Sequence, residues 1–310
     1  MSSTPSILCA VDLSSHSRTV LQHAGAIADH FGARLITATI TPSNLEPERE
    51  ADTEPPRAEA ALRAFVLDVL PAAASWTGQY EVRVGAGAAS STILQMARDE
   101  GVDLIVVGTY GVSGFRKHMF GSTTEGVLRH ADFPVLVVPQ GASHLHSLDD
   151  RREVSDIGSV LAPIDFSPLS RRDARVAAGI AAALNVPLLL VHVIAPAGVA
   201  GVLDRVRASG LDPDVAAEQL LALRAELRGE TPIETMLLQG HPAEEIASLA
   251  ERRNVGLVVM GLRGAGGTLG PRPGSIAYRT LCLTPAMVLA LPPVLRKIAS
   301  RPVVTERHTV

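Results

Sequence analysis

The chain repeats itself along nearly its whole length, and this repeat constrains the fold more than any other feature. The segment ILCAVDLSSHSRTVLQHAGAIADHFGARLITATI near the start matches VLAPIDFSPLSRRDARVAAGIAAALNVPLLLVHVI in the second half. Asp12 corresponds to Asp165, and three later glycines recur at the same separation. An unchanged separation over such a length indicates two copies of one domain. We predict domains at 1–140 and 157–292, a linker at 141–156 and a tail at 293–310.

Within each copy, apolar runs alternate with amphipathic stretches. Runs such as LIVVG and PVLVVP are apolar without alternation, which is typical of strands covered on both faces. The predicted strands are 6–11, 34–40, 80–84, 103–108, 134–138, 158–164, 187–193, 233–238, 256–261 and 286–291. The predicted helices are 15–31, 57–70, 89–100, 122–131, 168–184, 213–228, 242–253 and 275–283. This order favours α/β domains with two tandem, doubly wound, five-stranded parallel sheets. The acidic, proline-rich segment 41–56 is predicted to be a mobile surface loop.

Bulk composition excludes several classes of protein. Hydrophobic residues make up 46% of the chain, enough for each half to bury a core. The net charge of −4 and the lack of a basic stripe argue against a nucleic-acid partner. The longest apolar stretches are too short or too interrupted by proline to cross a membrane. With no signal peptide and only two cysteines, we expect a cytoplasmic protein without a disulfide framework.

A glycine–serine pattern follows the fourth strand of each copy. In both copies the order is Gly, two residues, Gly, nine residues, Gly, Ser. The positions are Gly108, Gly111, Gly121 and Ser122 in the first copy, and Gly261, Gly264, Gly274 and Ser275 in the second. The first two glycines leave room for a ligand at a sharp turn, and the serine opens a helix whose free N–H groups can hold phosphate. Asp12, just past the first strand, can accept from a sugar hydroxyl or help to hold a metal on the phosphates.

Other interpretations of these residues stay open. The glycines could serve only the turn, and the serine could serve only as a helix N-cap. The spacing is neither that of a P-loop nor that of the dinucleotide fingerprint. Ser14 and Ser167 are predicted to cap the helices after the first strands. His192, near a strand end, is interpreted as a core or ligand-edge residue.

The glycine–serine spacing, the strand-end aspartates and LIVVGTYG together resemble the ATP-binding universal stress protein family. The resemblance covers both copies and implies a Rossmann-like fold of the adenine nucleotide alpha hydrolase type, with strand order 3-2-1-4-5. It also implies bound ATP with Mg²⁺, with glycines and serine around the phosphates and the aspartate near adenine and ribose. The implied first site is Asp12, Ile40, Val107, Gly108, Gly111, Gly121, Ser122 and Thr123. The implied second site is Pro163, Asp165, Val193, Met260, Gly261, Gly264, Gly274, Ser275 and Ile276.

Three functions are compatible with this resemblance. The first is a nucleotide-dependent regulator of the stress response, which is not an enzyme and has no catalytic residues. The second is a slow ATPase or an ATP-using transferase, although the sequence supplies no convincing general base or activated nucleophile. The third is an interaction module with empty sites. We also expect the two halves to pack through their last strands, PVLVVP and PAMVLAL, while a further homodimer stays open.

Overall fold

The computed structural model describes residues 4–42, 55–71, 80–109, 121–142, 157–195, 212–227, 231–262 and 275–294. Strands and helices alternate along these residues. The strands are β1 Ser6–Ala10, β2 Arg34–Thr41, β3 Tyr80–Ala86, β4 Leu104–Gly108, β5 Val135–Val138, β6 Val160–Pro163, β7 Leu188–Ile194, β8 Ile233–Gln239, β9 Leu257–Gly261 and β10 Met287–Leu291. The helices are α1 Ser15–Phe31, α2 Pro55–Val69, α3 Ala89–Asp99, α4 Ser122–His130, α5 Pro168–Ala183, α6 Pro213–Glu226, α7 Pro242–Arg252 and α8 Ile276–Leu283.

The first helix of each copy begins as its sequence predicts. The Ser14 hydroxyl accepts from the Ser17 N–H at the start of α1, and the Ser167 hydroxyl accepts from the Ser170 N–H at the start of α5. These bonds satisfy donors that a helix start otherwise leaves unpaired. Helix α1 ends at Gly32, whose φ of 59° is the left-handed conformation that glycine adopts without strain. The predicted capping roles of Ser14 and Ser167 are therefore confirmed.

Each half has the predicted strand order, but the two sheets are continuous. The observed order is β3-β2-β1-β4-β5-β10-β9-β6-β7-β8 in a single ten-stranded sheet. Pairing is parallel within each half, whereas β5 and β10 run antiparallel to each other. In that central pair Leu136 lies opposite Leu289, and Val137 lies opposite Val288. These are the last strands of the two halves, which the sequence predicts to pack together, but the two sheets predicted as separate form one sheet.

Helices cover both faces of the sheet. On one face α1, α2, α5 and α6 pack over a core that includes Val20, Leu62, Ala177 and Leu220. On the other face α3, α4, α7 and α8 pack over a second core, which includes Leu128. Both cores draw residues from both halves.

Each domain has its own carboxyl edge. The parallel strands β1 and β4 end together at one edge of the sheet, and β6 and β9 end together at the opposite edge, because the two halves run antiparallel.

Some predicted features differ from the structure or lie outside the described residues. Helix α2 begins at Pro55, so the end of the predicted loop 41–56 is helical, and most of the rest of that loop is outside. Also outside the described residues are most of the predicted linker, nearly all of the predicted tail, and Gly111, Gly264 and Gly274. Within the part of the chain that is described, none of the helices is long and apolar enough to cross a membrane.

Candidate functional site

A tight turn holds Asp12 at the carboxyl edge of the sheet. Its Oδ1 accepts from the Ser14 N–H at 3.1 Å and from the Ser17 hydroxyl at 2.6 Å. Leu13 between them has a φ of 60°, a conformation that costs a non-glycine residue about 1–2 kcal/mol. The hydrogen bonds of the turn offset that cost and fix where the carboxylate lies. Backbone strain of this kind is concentrated at functional sites.

The second copy builds the same turn around Asp165. The Asp165 Oδ1 accepts from the Ser167 N–H at 2.9 Å, and the Asp165 N–H donates to the Ser170 hydroxyl at 3.3 Å. Phe166, which corresponds to Leu13, also has a φ of 60°. Both copies thus keep a strained residue directly after the aspartate, which supports a functional role for this turn.

Gly108 ends β4 where helix α1 passes very close. A methyl group in place of its hydrogen would lie 2.8 Å from the His16 ring and 3.0 Å from a Val20 methyl. The His16 Nε2 donates to the Val138 carbonyl at 3.2 Å, which ties α1 to the ends of β4 and β5. The close approach of α1 therefore requires a glycine at position 108, whether or not a bound ligand also needs space there.

We expect Gly108→Ala to lower the free energy of unfolding by about 1–3 kcal/mol, because the added methyl overpacks a crowded contact. Urea unfolding followed by circular dichroism measures this change. The control is Gly179→Ala, since a methyl at Gly179 in α5 meets nothing within 4 Å. That control should raise stability by roughly 0.5–1 kcal/mol. Equal effects of the two variants would contradict the crowding at Gly108.

His16 should make stability depend on pH. Burial lowers the pKa of His16, and this effect outweighs the opposing effects of its bond to Val138 and of the nearby Asp12 charge. A depressed pKa means that the folded state favours neutral imidazole. Its contribution to stability is therefore present above the ordinary histidine pKa of about 6.5 and is lost as pH falls through the lowered value.

We expect His16→Gln to flatten the fall in the urea midpoint between about pH 7.5 and pH 5. Glutamine stays neutral over this range and keeps an N–H donor for the Val138 carbonyl. An unchanged pH dependence in this variant would contradict the assignment of the effect to His16.

Hydrogen bonds around Thr109 hold the two ends of segment 110–120 together. The Thr109 carbonyl accepts from the Gly121 N–H at 2.9 Å, and the Thr109 N–H donates to the Val138 carbonyl at 3.1 Å. The Thr124 hydroxyl donates to the Gly108 carbonyl at 2.6 Å. The end of β4 and the start of α4 are therefore neighbours at the carboxyl edge, on the strand next to β1 and its Asp12 turn.

The first turn of α4 has N–H groups without a side-chain cap. Its N-cap is Gly121, and among the described residues no side chain accepts from the donors of this turn. Ser122, the first helical residue, is exposed. Uncapped donors and the positive end of the helix dipole form an environment that suits an anion.

The start of α8 in the second copy is built differently. The predicted helix 275–283 begins at Ser275, whereas in the structure Ser275 is the N-cap and Ile276 is the first helical residue. The Ser275 hydroxyl accepts from the Tyr278 N–H at 3.2 Å. The N–H of the third residue of α8 is therefore already bonded within the chain.

The predicted residues on the strands lie near strand ends, those of the first domain at one edge of the sheet and those of the second domain at the opposite edge. Ile40 and Val193 are half-buried and pack at the margin of the core. Val107 and Met260 are buried, so their side chains belong to the core. The remaining predicted residues follow the same division. Thr123 in α4 lies near the carboxyl edge of the first domain, whereas Pro163 ending β6, Gly261 ending β9 and the exposed Ile276 opening α8 lie near that of the second.

Several polar residues near the carboxyl edges of the two domains were not predicted from the sequence. These are His16, Thr109, Thr124, Arg172 and Asp173. His16 corresponds to Leu169, and Asp173 corresponds to Val20, so comparison of the two copies does not single them out. The polar residue His16, close to Asp12 in sequence, is the one signal that could have indicated a role.

Comparison with known proteins gives consistent matches. Residues 4–139 and 157–292 each match the model of the universal stress protein family. The chain is 29% identical over 206 residues to a universal stress protein of Mycobacterium tuberculosis, and it spans 65% of that protein's length. A solved universal stress protein of Archaeoglobus fulgidus superposes with a TM-score of 0.66 at 21% identity, covering 93% of this chain and 98% of that one. A Pseudomonas aeruginosa structure described as a putative universal stress protein has a TM-score of 0.60 at 18% identity, covering 94% of each chain. These two structures support the fold.

Proposed function

The chain belongs to the universal stress protein family, and on this premise we propose that it binds ATP with Mg²⁺ and acts as a nucleotide-dependent regulator of the stress response. One observation carries the proposal. The uncapped start of α4 is bonded through Gly121 to Thr109, just past the end of β4, at the edge where Asp12 is held. An anion site and a carboxylate therefore lie on neighbouring strands, as a nucleotide with phosphates at one end and a sugar at the other requires.

The proposed site assigns a role to each group. The N–H groups and hydroxyls of Ser122 and Thr123 donate to phosphate oxygens. Gly108, Gly111 and Gly121 let the backbone approach the phosphates. Asp12 accepts from the ribose or the adenine. Bound Mg²⁺ would neutralise phosphate charge, which matters in a chain whose net charge is −4.

The base lies on the apolar side of the site in this proposal. Ile40 is the last but one residue of β2, lies beside Gly85 and is half-buried, so its side chain offers an apolar surface at the edge. Val107 contributes its backbone, since its side chain is in the core. An adenine ring packed there buries apolar surface without needing a charged partner.

Regulation by binding is favoured over turnover. The Asp12 Oδ1 is already bonded to Ser14 and Ser17, and those bonds orient it for holding a ligand. Nucleotide binding would then stabilise one arrangement of the edge loops and bias a partner interaction, as thermodynamic linkage requires. We also propose a cytoplasmic location, because ATP is a cytoplasmic ligand.

We propose that the two domains work as one unit through β5 and β10. Their pairing covers two strands that would otherwise be exposed edges, and the residues at its centre are buried. A single sheet gives the edge loops of both domains a common rigid base.

The test of nucleotide binding begins with the purified protein. Denaturing it and measuring the released small molecules by mass spectrometry should identify an adenine nucleotide, and calorimetry with ATP and Mg²⁺ should show saturable heat. The absence of both would overturn the proposal. Phosphate release well above background would instead favour an ATPase.

A further inference from the structure

We infer that the two domains are not equivalent: the first holds the nucleotide, and the matching edge of the second is occupied by the chain's own side chains. This inference rests on the proposed function and adds which of the two domains binds the nucleotide. It follows from three differences between the copies, each at a position that the repeat places in the same part of the fold.

The first difference is the helix start after the fourth strand. In the first domain Gly121 precedes α4, and none of the side chains that the structure describes caps the first-turn donors. In the second domain the Ser275 hydroxyl bonds the Tyr278 N–H. A phosphate at α8 would have to compete with that internal hydroxyl, so its gain in hydrogen bonding would be smaller.

The second difference is an acid–base pair inside the second domain. Asp173 in α5 is only 2% exposed and accepts from the neighbouring Arg172 guanidinium at 2.9 Å. The Gly261 backbone at the end of β9 acts to lower the pKa of Asp173, although burial raises it overall. Arg172 also donates to the Pro293 carbonyl at 2.7 Å. The first domain has the uncharged Thr19 and Val20 at these positions. An internal ion pair therefore occupies this part of the second domain's edge.

The third difference is an aromatic contact across the ends of β6 and β7. The Phe166 and His192 rings lie with centroids 4.6 Å apart, and the His192 Nδ1 donates to the Ile164 carbonyl at 2.7 Å. The first domain has Leu13 and Thr39 in their place. Leu13 is 38% exposed, so the first edge lacks a ring contact of this kind. Side chains therefore fill more of the second edge than of the first.

The test is the number of nucleotides bound by the full-length chain. Calorimetry with ATP and Mg²⁺ on nucleotide-free protein should give a stoichiometry of one, and Ser122→Pro should lose most of the heat. A stoichiometry of two would overturn the inference but not the proposed function. No binding at all would overturn the proposed function itself.

A second measurement locates the site without any substitution. Photolabelling with 8-azido-ATP, followed by peptide mapping, should mark peptides from residues 4–139 and leave those from residues 157–292 unmarked. Excess ATP should remove the label. Equal protected labelling of both domains would overturn the inference.

Discussion

Ser122→Pro is expected to weaken ATP binding by about tenfold to a hundredfold while α4 stays folded. Ser122 is the first residue of the helix, a position where proline is well tolerated. Gly121 before it has a ψ of 144°, which is the extended conformation that a following proline requires. The substitution therefore removes an N–H donor and a hydroxyl at the proposed phosphate site. A hydrogen bond to a charged group contributes about 1.5–3 kcal/mol.

Isothermal titration with ATP and Mg²⁺ measures this loss. Ser122→Ala is the matched control, because it removes the hydroxyl and keeps the backbone donor. We expect its affinity to lie between those of the wild type and Ser122→Pro. Circular dichroism should show the same helix content in all three proteins. Wild-type affinity in a folded Ser122→Pro protein would exclude the start of α4 as the phosphate site.

Leu136→Glu is expected to lower the free energy of unfolding by roughly 4 kcal/mol or more. Leu136 is 3% exposed, lies in β5 and pairs with Leu289 of β10. The substitution removes a leucine from the core and leaves a carboxylate unpaired in an apolar strand pair. Because whole domains are stable by only about 5–15 kcal/mol, we expect loss of cooperative unfolding at ordinary temperature.

Urea unfolding monitored by circular dichroism checks this expectation. Leu221→Glu is the control, since Leu221 in α6 is 52% exposed and its replacement should change stability by no more than about 0.5 kcal/mol. To separate the contact between domains from the core of one domain, Leu136→Ala and Leu289→Ala are combined. Strictly additive effects of these two alanine substitutions would contradict a direct contact across β5 and β10.

The sequence predicted those parts of the fold that depend on local pattern and on repetition. Buried strands such as LIVVG have no polar positions, and helix starts such as Ser14 carry their own cap, so both are visible in short windows. The same pattern at the corresponding position of the second copy supported each of these predictions. The parallel order within a copy then predicted that Asp12 and Gly108, which follow neighbouring strands, lie at the same edge.

Contacts between distant residues, and differences between the copies, could not be predicted in this way. His16 reaches the Val138 carbonyl across 122 residues of sequence, and no local pattern indicates that bond. Arg172 and Asp173 have no counterpart of like charge in the first copy. A repeat draws attention to what two copies share, while the asymmetry of the sites depends on where they differ.

The central claim is that backbone N–H groups at the start of α4 hold a phosphate. The most direct measurement is a titration of ¹⁵N-labelled protein with ATP and Mg²⁺, following assigned amide signals by nuclear magnetic resonance. The account predicts that the amides of Ser122 and Thr123 shift strongly and saturate together with the calorimetric heat. If those signals stay in place while ATP binds and others move, the phosphates are held elsewhere and the account is wrong.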